Sequence, residues 1–177
     1  MSQTNELEIM ERIALDLEGV EESLASSFNT GAEDFNALIR PLSAAGGKGL
    51  RAQLCLLIAN AGTSVERQRI RIAEAVEMLH LATLIHDDVL DQAEIRRGEE
   101  TIHMHKGNKV AILSGDYLFA KAFQIVSEMP NMKYLQIFSH IITCLVEGEF
   151  MQMEDVYHID QGIERYMTKT QKKTADF

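Results

Sequence analysis

The residues best suited to chemistry are Asp87-Asp88-Val89-Leu90-Asp91 and, just beyond them, Arg96-Arg97-Gly98. Three carboxylates this close repel one another unless cations sit among them. On a helix Asp87 and Asp91 stand at i and i+4 on one face, with Asp88 turned about 100° away. Such a pair suits magnesium, which keeps several waters and takes one or two carboxylates plus substrate phosphate. The adjacent arginines offer planar forks of donors that match phosphate oxygens. Together they imply a multiply charged anion bridged to the protein by a divalent metal.

Other basic groups extend this pattern. Lys48 and Arg51 lie at i and i+3, where the glycine-rich segment Ala44 to Gly49 enters an apolar helix. Helix N-termini disfavour cations, so basic residues there make sense if an anion docks on them and on the open N–H groups. His80 shares a helix with the acids, His86 adjoins Asp87, and Lys169, Lys172 and Lys173 make the C-terminal segment locally basic. Singly, each has an ordinary explanation: a solvated helix end, surface ion pairs, a core histidine. The acids, however, close an otherwise apolar stretch, Leu79 to Ile85, which argues against a merely solvated end.

The elements that must hold these groups are helical. Met, Leu, Ile and Ala are plentiful and tryptophan is absent, which favours helix over sheet. Periodicity predicts helices over about 4–27, up to Pro41, 50–61, 65–90, 110–126, 132–153 and from about 160 to the end. The polar segment 92–108 reads as a loop. The expectation is an all-α bundle of six or seven helices forming a single domain over 1–177.

The formal charge of −10 argues against nucleic-acid binding through a general basic surface. Cys55 and Cys144 lack metal-ligand spacing and read as buried free thiols, hence a cytoplasmic setting. The polar N-terminus lacks signal-peptide character, and no apolar run approaches membrane-spanning length.

In order along the chain, these motifs resemble the trans-isoprenyl diphosphate synthases, the polyprenyl synthase family. Gly46-Gly47-Lys48-Gly49-Leu50-Arg51 is similar to the family's GGKRxR segment, and Glu77 to Asp91 to the region of its first DDxxD motif. Arg96-Arg97-Gly98, Ser114-Gly115-Asp116, Glu147-Gly148-Glu149 with Gln152, and Lys173-Thr174-Ala175 match the segments that follow. The resemblance implies a helical bundle of the isoprenoid synthase type, here its N-terminal part, and a Mg2+-dependent prenyltransferase. It condenses isopentenyl diphosphate with an allylic prenyl diphosphate. Asp87 and Asp91 would bind metal with Asp88 in support. Arg96, Lys173 and Thr174 would meet the allylic diphosphate. Lys48, Arg51, His80 and Arg97 would meet isopentenyl diphosphate. A homodimer or heteromer is implied. Small residues at Ala82 and Thr83, where family members with short products tend to carry aromatics, imply medium or long products.

The chain departs from the pattern at Gly49, where the family usually has arginine, and at Ala52, where it usually has proline. The second aspartate-rich motif and the later helices are absent, so a part of a longer enzyme and a short subunit of a heteromeric synthase both remain open. Outside the family, His86-Asp87 with His80 and Asp116 allows a metal-dependent phosphohydrolase as the least favoured alternative.

Overall fold

The helix carrying the acids, α4 (Glu66–Leu90), is the organising element of the computed structural model. The structure describes residues 3–28, 33–44, 49–62 and 65–176. These fall into two compact units, Met1–Glu128 and Met129–Phe177. In the first, α1 (Gln3–Ser27), α3 (Leu50–Asn60) and α6 (Asn108–Ser127) all pack against α4, with α2 (Glu33–Ala44) against α1. Ala73, Ala75, Met78, Leu79, Leu81, Ala82 and Ile85 of α4 are buried, more than one stripe, as a helix with several neighbours requires. Each large apolar side chain so buried contributes roughly 1.5–3 kcal/mol.

Charged groups are also buried in this core, each with partners. Asp16 of α1 accepts from Arg69 Nε at 3.0 Å and from Asn60 Nδ2 at 3.1 Å. Glu74, fully buried, accepts from the hydroxyls of Ser23 and Ser27 and from Arg71, each at 2.7 Å. These contacts fix how α1 lies along α4.

α6 presents the small buried residues Ala111, Ser114, Gly115 and Ala122, which permit close packing against α4. At Gly115 the fit is tightest: a Cβ there would stand 2.2 Å from Nε2 of His86. That nitrogen lies 3.1 Å from the Ile112 carbonyl and 3.6 Å from Asp116 Oδ1. Gly115→Ala is therefore expected to destabilise the protein by about 1–3 kcal/mol, as overpacking does. Chemical denaturation would check this, and His86→Ala in the same chain should restore most of the loss. By length and average composition α6 is apolar enough to cross a membrane, although it contains no uninterrupted apolar run of that length. Its buried stripe here is packed on α4.

The helices fall close to their predicted bounds, with two differences. α2 continues past Pro41 to Ala44; proline lacks a donor and crowds the preceding turn, but the residues after it keep their own N–H groups. The segment 92–108 is not a plain loop. Ile95–Arg96 (β1) and Glu99–Glu100 (β2) pair antiparallel, Ile95 opposite Glu100, and α5 (Ile102–Lys106) follows. Arg97 and Gly98, between the strands, have φ of 54° and 88°, the positive pair that suits a two-residue hairpin turn. Glycine takes this readily; Arg97 is held there against its preference. Among the described residues there are thus eight α-helices. Of the cysteines, Cys144 is buried but Cys55 only half-buried.

In the second unit α7 (Lys133–Glu154) packs with α8 (Ile163–Thr170) and a π-helical turn, Gln171–Ala175. Asp155 gathers Arg165 Nε and Lys169 Nζ at 2.5 and 2.9 Å. Gly148 lets the π-helical turn approach: a Cβ there would meet the Lys173 nitrogen at 3.2 Å.

Candidate functional site

One stripe of α4 carries most of the candidate groups. His80 and Asp87 are seven residues apart and therefore on one face, roughly 10 Å along the axis; Asp91 continues it. Asp87 is half-buried in the last turn, and Asp91 is exposed at the position that ends the helix. Asp88 points elsewhere. It is buried and accepts from Arg96 Nε at 2.7 Å. The hairpin thus returns onto the acid-bearing helix through Arg96, tying one guanidinium to the motif.

At the other end of the stripe, Arg51 from the first turn of α3 reaches across to His80, Nη1 to Nε2 at 3.0 Å. Arginine only donates, so Nε2 accepts and a neutral ring carries its proton on Nδ1. Arg97 and Arg96 also act on this ring electrostatically. Burial first, then Arg51, Arg97 and Arg96, hold His80 down to a pKa of about 4. Folding thus lowers the value from its ordinary 6.5, and the unfolded chain takes up this proton first as pH falls. The stability from neutral His80 is whole above about pH 6.5 and is lost as pH drops toward 4. Replacement by glutamine (His80→Gln) is expected to flatten unfolding free energy across that window, measured by urea titration at several pH values.

In the sequence Glu77 carries no role beyond its place in the motif. It lies one turn before His80, within the influence of Arg51 and Arg97. The Ala52 N–H bonds its carboxyl, while Oε2 is buried with no hydrogen-bond partner. Burial pushes its pKa up; the Ala52 N–H, Arg51 and Arg97 pull the other way without cancelling that. The signal was its spacing, i and i+3 with His80 on a helix facing basic residues.

Lys48 and the glycines before it lie outside the described residues. Gly49, at φ 54°, is left-handed as it enters α3, a conformation that an arginine in its place would adopt at a cost. Lys173 and Thr174 belong to the second unit, where Lys173 Nζ contacts Glu149 at 2.5 Å and Gln152 at 3.0 Å and Thr174 is exposed. His86 is turned onto α6, as described above. A cleft of about 790 Å³, lined by Leu81, Leu84, Ile85, Asp88, Arg96 and Arg97 among others, does not include Asp87 or Asp91. It therefore adjoins the Asp88–Arg96 pair and is not the acid site itself.

Among the described residues no group of three or more His, Cys, Asp or Glu side chains converges as a metal cage. Asp87 and Asp91 nevertheless fit magnesium, because two carboxylates on one helix face leave its other positions to water and phosphate oxygens.

A family model described as polyprenyl synthetase matches residues 32–177. Solanesyl diphosphate synthase 1 of Arabidopsis thaliana is 32% identical over 173 residues, 94% of this chain and 43% of that protein. Heptaprenyl diphosphate synthase component 2 of Geobacillus stearothermophilus is 36% identical over 161 residues, 90% of this chain and 50% of that protein. The crystal structure of a polyprenyl synthase from Caulobacter crescentus, complexed with calcium and isoprenyl diphosphate, superposes with a TM-score of 0.88. It is 33% identical, covering 94% of this chain and 52% of that one. The chain thus spans about half the length of these relatives, and its helices take the all-α isoprenoid synthase fold.

Proposed function

Because the chain belongs to the polyprenyl synthetase family, we propose that it supplies the N-terminal part of a Mg2+-dependent trans-prenyltransferase. The reaction joins isopentenyl diphosphate to an allylic prenyl diphosphate. The observation that carries this reading is the single stripe of α4, with an acid pair at one end and the Arg51–His80 contact at the other. Two anion sites roughly 10 Å apart on one rigid helix suit two diphosphate esters held side by side.

In this reading Asp87 and Asp91 would hold magnesium, which when bound would supply positive charge to offset the negative charge developing on the allylic diphosphate. Arg96, positioned by Asp88, adds donors to the same diphosphate. As the allylic C–O bond breaks, its electron pair goes to the diphosphate oxygen. Donors already aimed at that oxygen stabilise the developing charge without reorganising. The double bond of isopentenyl diphosphate, held by Lys48, Arg51, His80 and Arg97, then attacks the allylic carbon, and a proton leaves to restore the alkene. Neutral His80 accepts from Arg51 and keeps that guanidinium aimed.

The likeness to a protein named as a component supports a second arrangement within the same chemistry. Here the chain acts as one subunit of a heteromeric synthase or of a homodimer. Isopentenyl transfer is to be assayed with the chain alone and then with candidate partner chains. Magnesium-dependent formation of a prenyl product in either case supports the reading; absence of transfer with every partner tested, despite pyrophosphate binding, removes the catalytic role.

Product length is proposed to be medium or long. Ala82 is fully buried in the core, whereas Thr83 is half-buried one turn before Asp87. Thr83→Phe is therefore the clean test. It should shorten the product by one or more isoprene units, read by chromatography, and an unchanged product would refute the assignment.

A further inference from the structure

Within the isopentenyl diphosphate site just proposed, on which this inference rests, the acid Glu77 sits among cations. We propose that Glu77 is the resident anion of that site and a positioning residue whose uptake of a proton is coupled to diphosphate binding.

Gly49 stands at the N-terminus of α3. Gly49 contributes no side-chain cap, so the first N–H groups of the helix need outside partners. Glu77 supplies one from α4, accepting the N–H of buried Ala52. That donor exists because position 52 is alanine; proline there has no N–H. The same carboxyl lies in the field of Arg51 and Arg97, two guanidiniums that cannot shed their charge. The negative charge of Glu77 offsets the repulsion between them and the positive end of the helix. Glu77 thus does in the empty site what a phosphate group would do in the filled one.

An arriving diphosphate competes for these same groups. Once Arg51 and Arg97 turn to phosphate oxygens, the attraction that kept Glu77 ionised weakens. Its burial remains, and a second anion now repels it. All three effects favour the neutral acid. The proton comes from solvent and has a place to go, since Oε2 is buried and unpartnered. As a carboxylic acid Glu77 becomes a donor and stops opposing the ligand. The charged groups facing it are Arg51 from α3 and Arg97 from the hairpin, with Arg96 joining them around His80 on its own helix. His80 responds to the same event and must be separated from it.

The test uses inorganic pyrophosphate, with chelator present so that the acid pair takes no part. Titration calorimetry near pH 6 in two buffers of different ionisation enthalpy gives protons taken up per ligand bound. Glu77→Gln should take up fewer protons than the unaltered chain and bind pyrophosphate several-fold more tightly above pH 7. His80→Gln should keep the Glu77 share. Ala52→Pro, tolerated in a first helical turn, removes the donor to the ionised carboxyl and should move the uptake to higher pH. It keeps the proposal testable if the glutamine variant fails to fold. Equal proton uptake in the unaltered and Glu77→Gln chains, or no shift with Ala52→Pro, overturns the role of Glu77 alone. A chain that binds no pyrophosphate at all overturns the site and this inference with it.

Discussion

Asp87→Asn is expected to lower magnesium-dependent isopentenyl transfer on the order of 10²–10³-fold, the scale on which losing one preorganised charge-stabilising group acts. The measurement belongs to whichever assembly of the chain shows transfer. Asp91→Asn should behave in the same way, because both carboxylates lie on the face of α4 that also carries His80. In each variant the magnesium concentration needed for half-maximal rate should rise. Asp88→Asn separates the roles of the three acids. Asp88 is buried against Arg96, so its loss should act through that arginine. The KM for the allylic diphosphate should rise while the magnesium requirement stays put. If Asp88→Asn raises the magnesium requirement as much as Asp87→Asn does, the division drawn here between metal ligands and arginine anchor is wrong.

Arg69→Ala should destabilise the first unit by about 3–5 kcal/mol, the cost of leaving a buried charge uncompensated. Asp16 would keep the Asn60 amide but lose both Arg69 contacts, at 3.0 and 3.3 Å, in a place where it is only 4% exposed. Urea unfolding at neutral pH reads the loss directly. The companion experiment replaces both partners, Asp16→Leu with Arg69→Met. A buried pair swapped for apolar groups of similar size is often neutral or stabilising by about 1–4 kcal/mol. The double variant should therefore recover most of the stability. A loss below about 1 kcal/mol in Arg69→Ala would mean that water reaches Asp16 and that the pair contributes little.

Helices were legible because their signal is local. Glu66–Leu90 follows from apolar spacing, and its end follows from the acids that break the stripe. The hairpin at 95–100 was missed because its strands are two residues each, too short to show alternation. Its turn rests on Arg97 adopting a positive φ that asparagine or glycine would have advertised. The candidate site was partly legible for a related reason. Acid pairs, adjacent arginines and glycine-rich helix entries carry their chemistry in their types and spacing, and so Asp87, Asp91 and Arg51 could be named as candidates in advance, whereas a role for His80 came only with the family resemblance. The likeness to solved structures bears out the all-α fold. The roles of the individual residues rest on the experiments above.

The division of labour among three neighbouring acids was not legible. Asp87, Asp88 and Asp91 are alike as letters, and helical spacing shows only that Asp88 points away. That it points into the core, toward an arginine returned by a hairpin turn, depends on contacts between segments far apart in the helix register. The same holds for Glu77. As a residue it is an ordinary helix-surface glutamate. Its standing comes from the N–H of Ala52, on a different helix, and from two guanidiniums that approach from α3 and the hairpin.

What the chain alone determined was therefore the set of local preferences: where helices run, which faces are apolar, and which functional groups each helix carries. Which charges meet was decided only in three dimensions, because pairing energies depend on distance and burial and neither is a property of one segment.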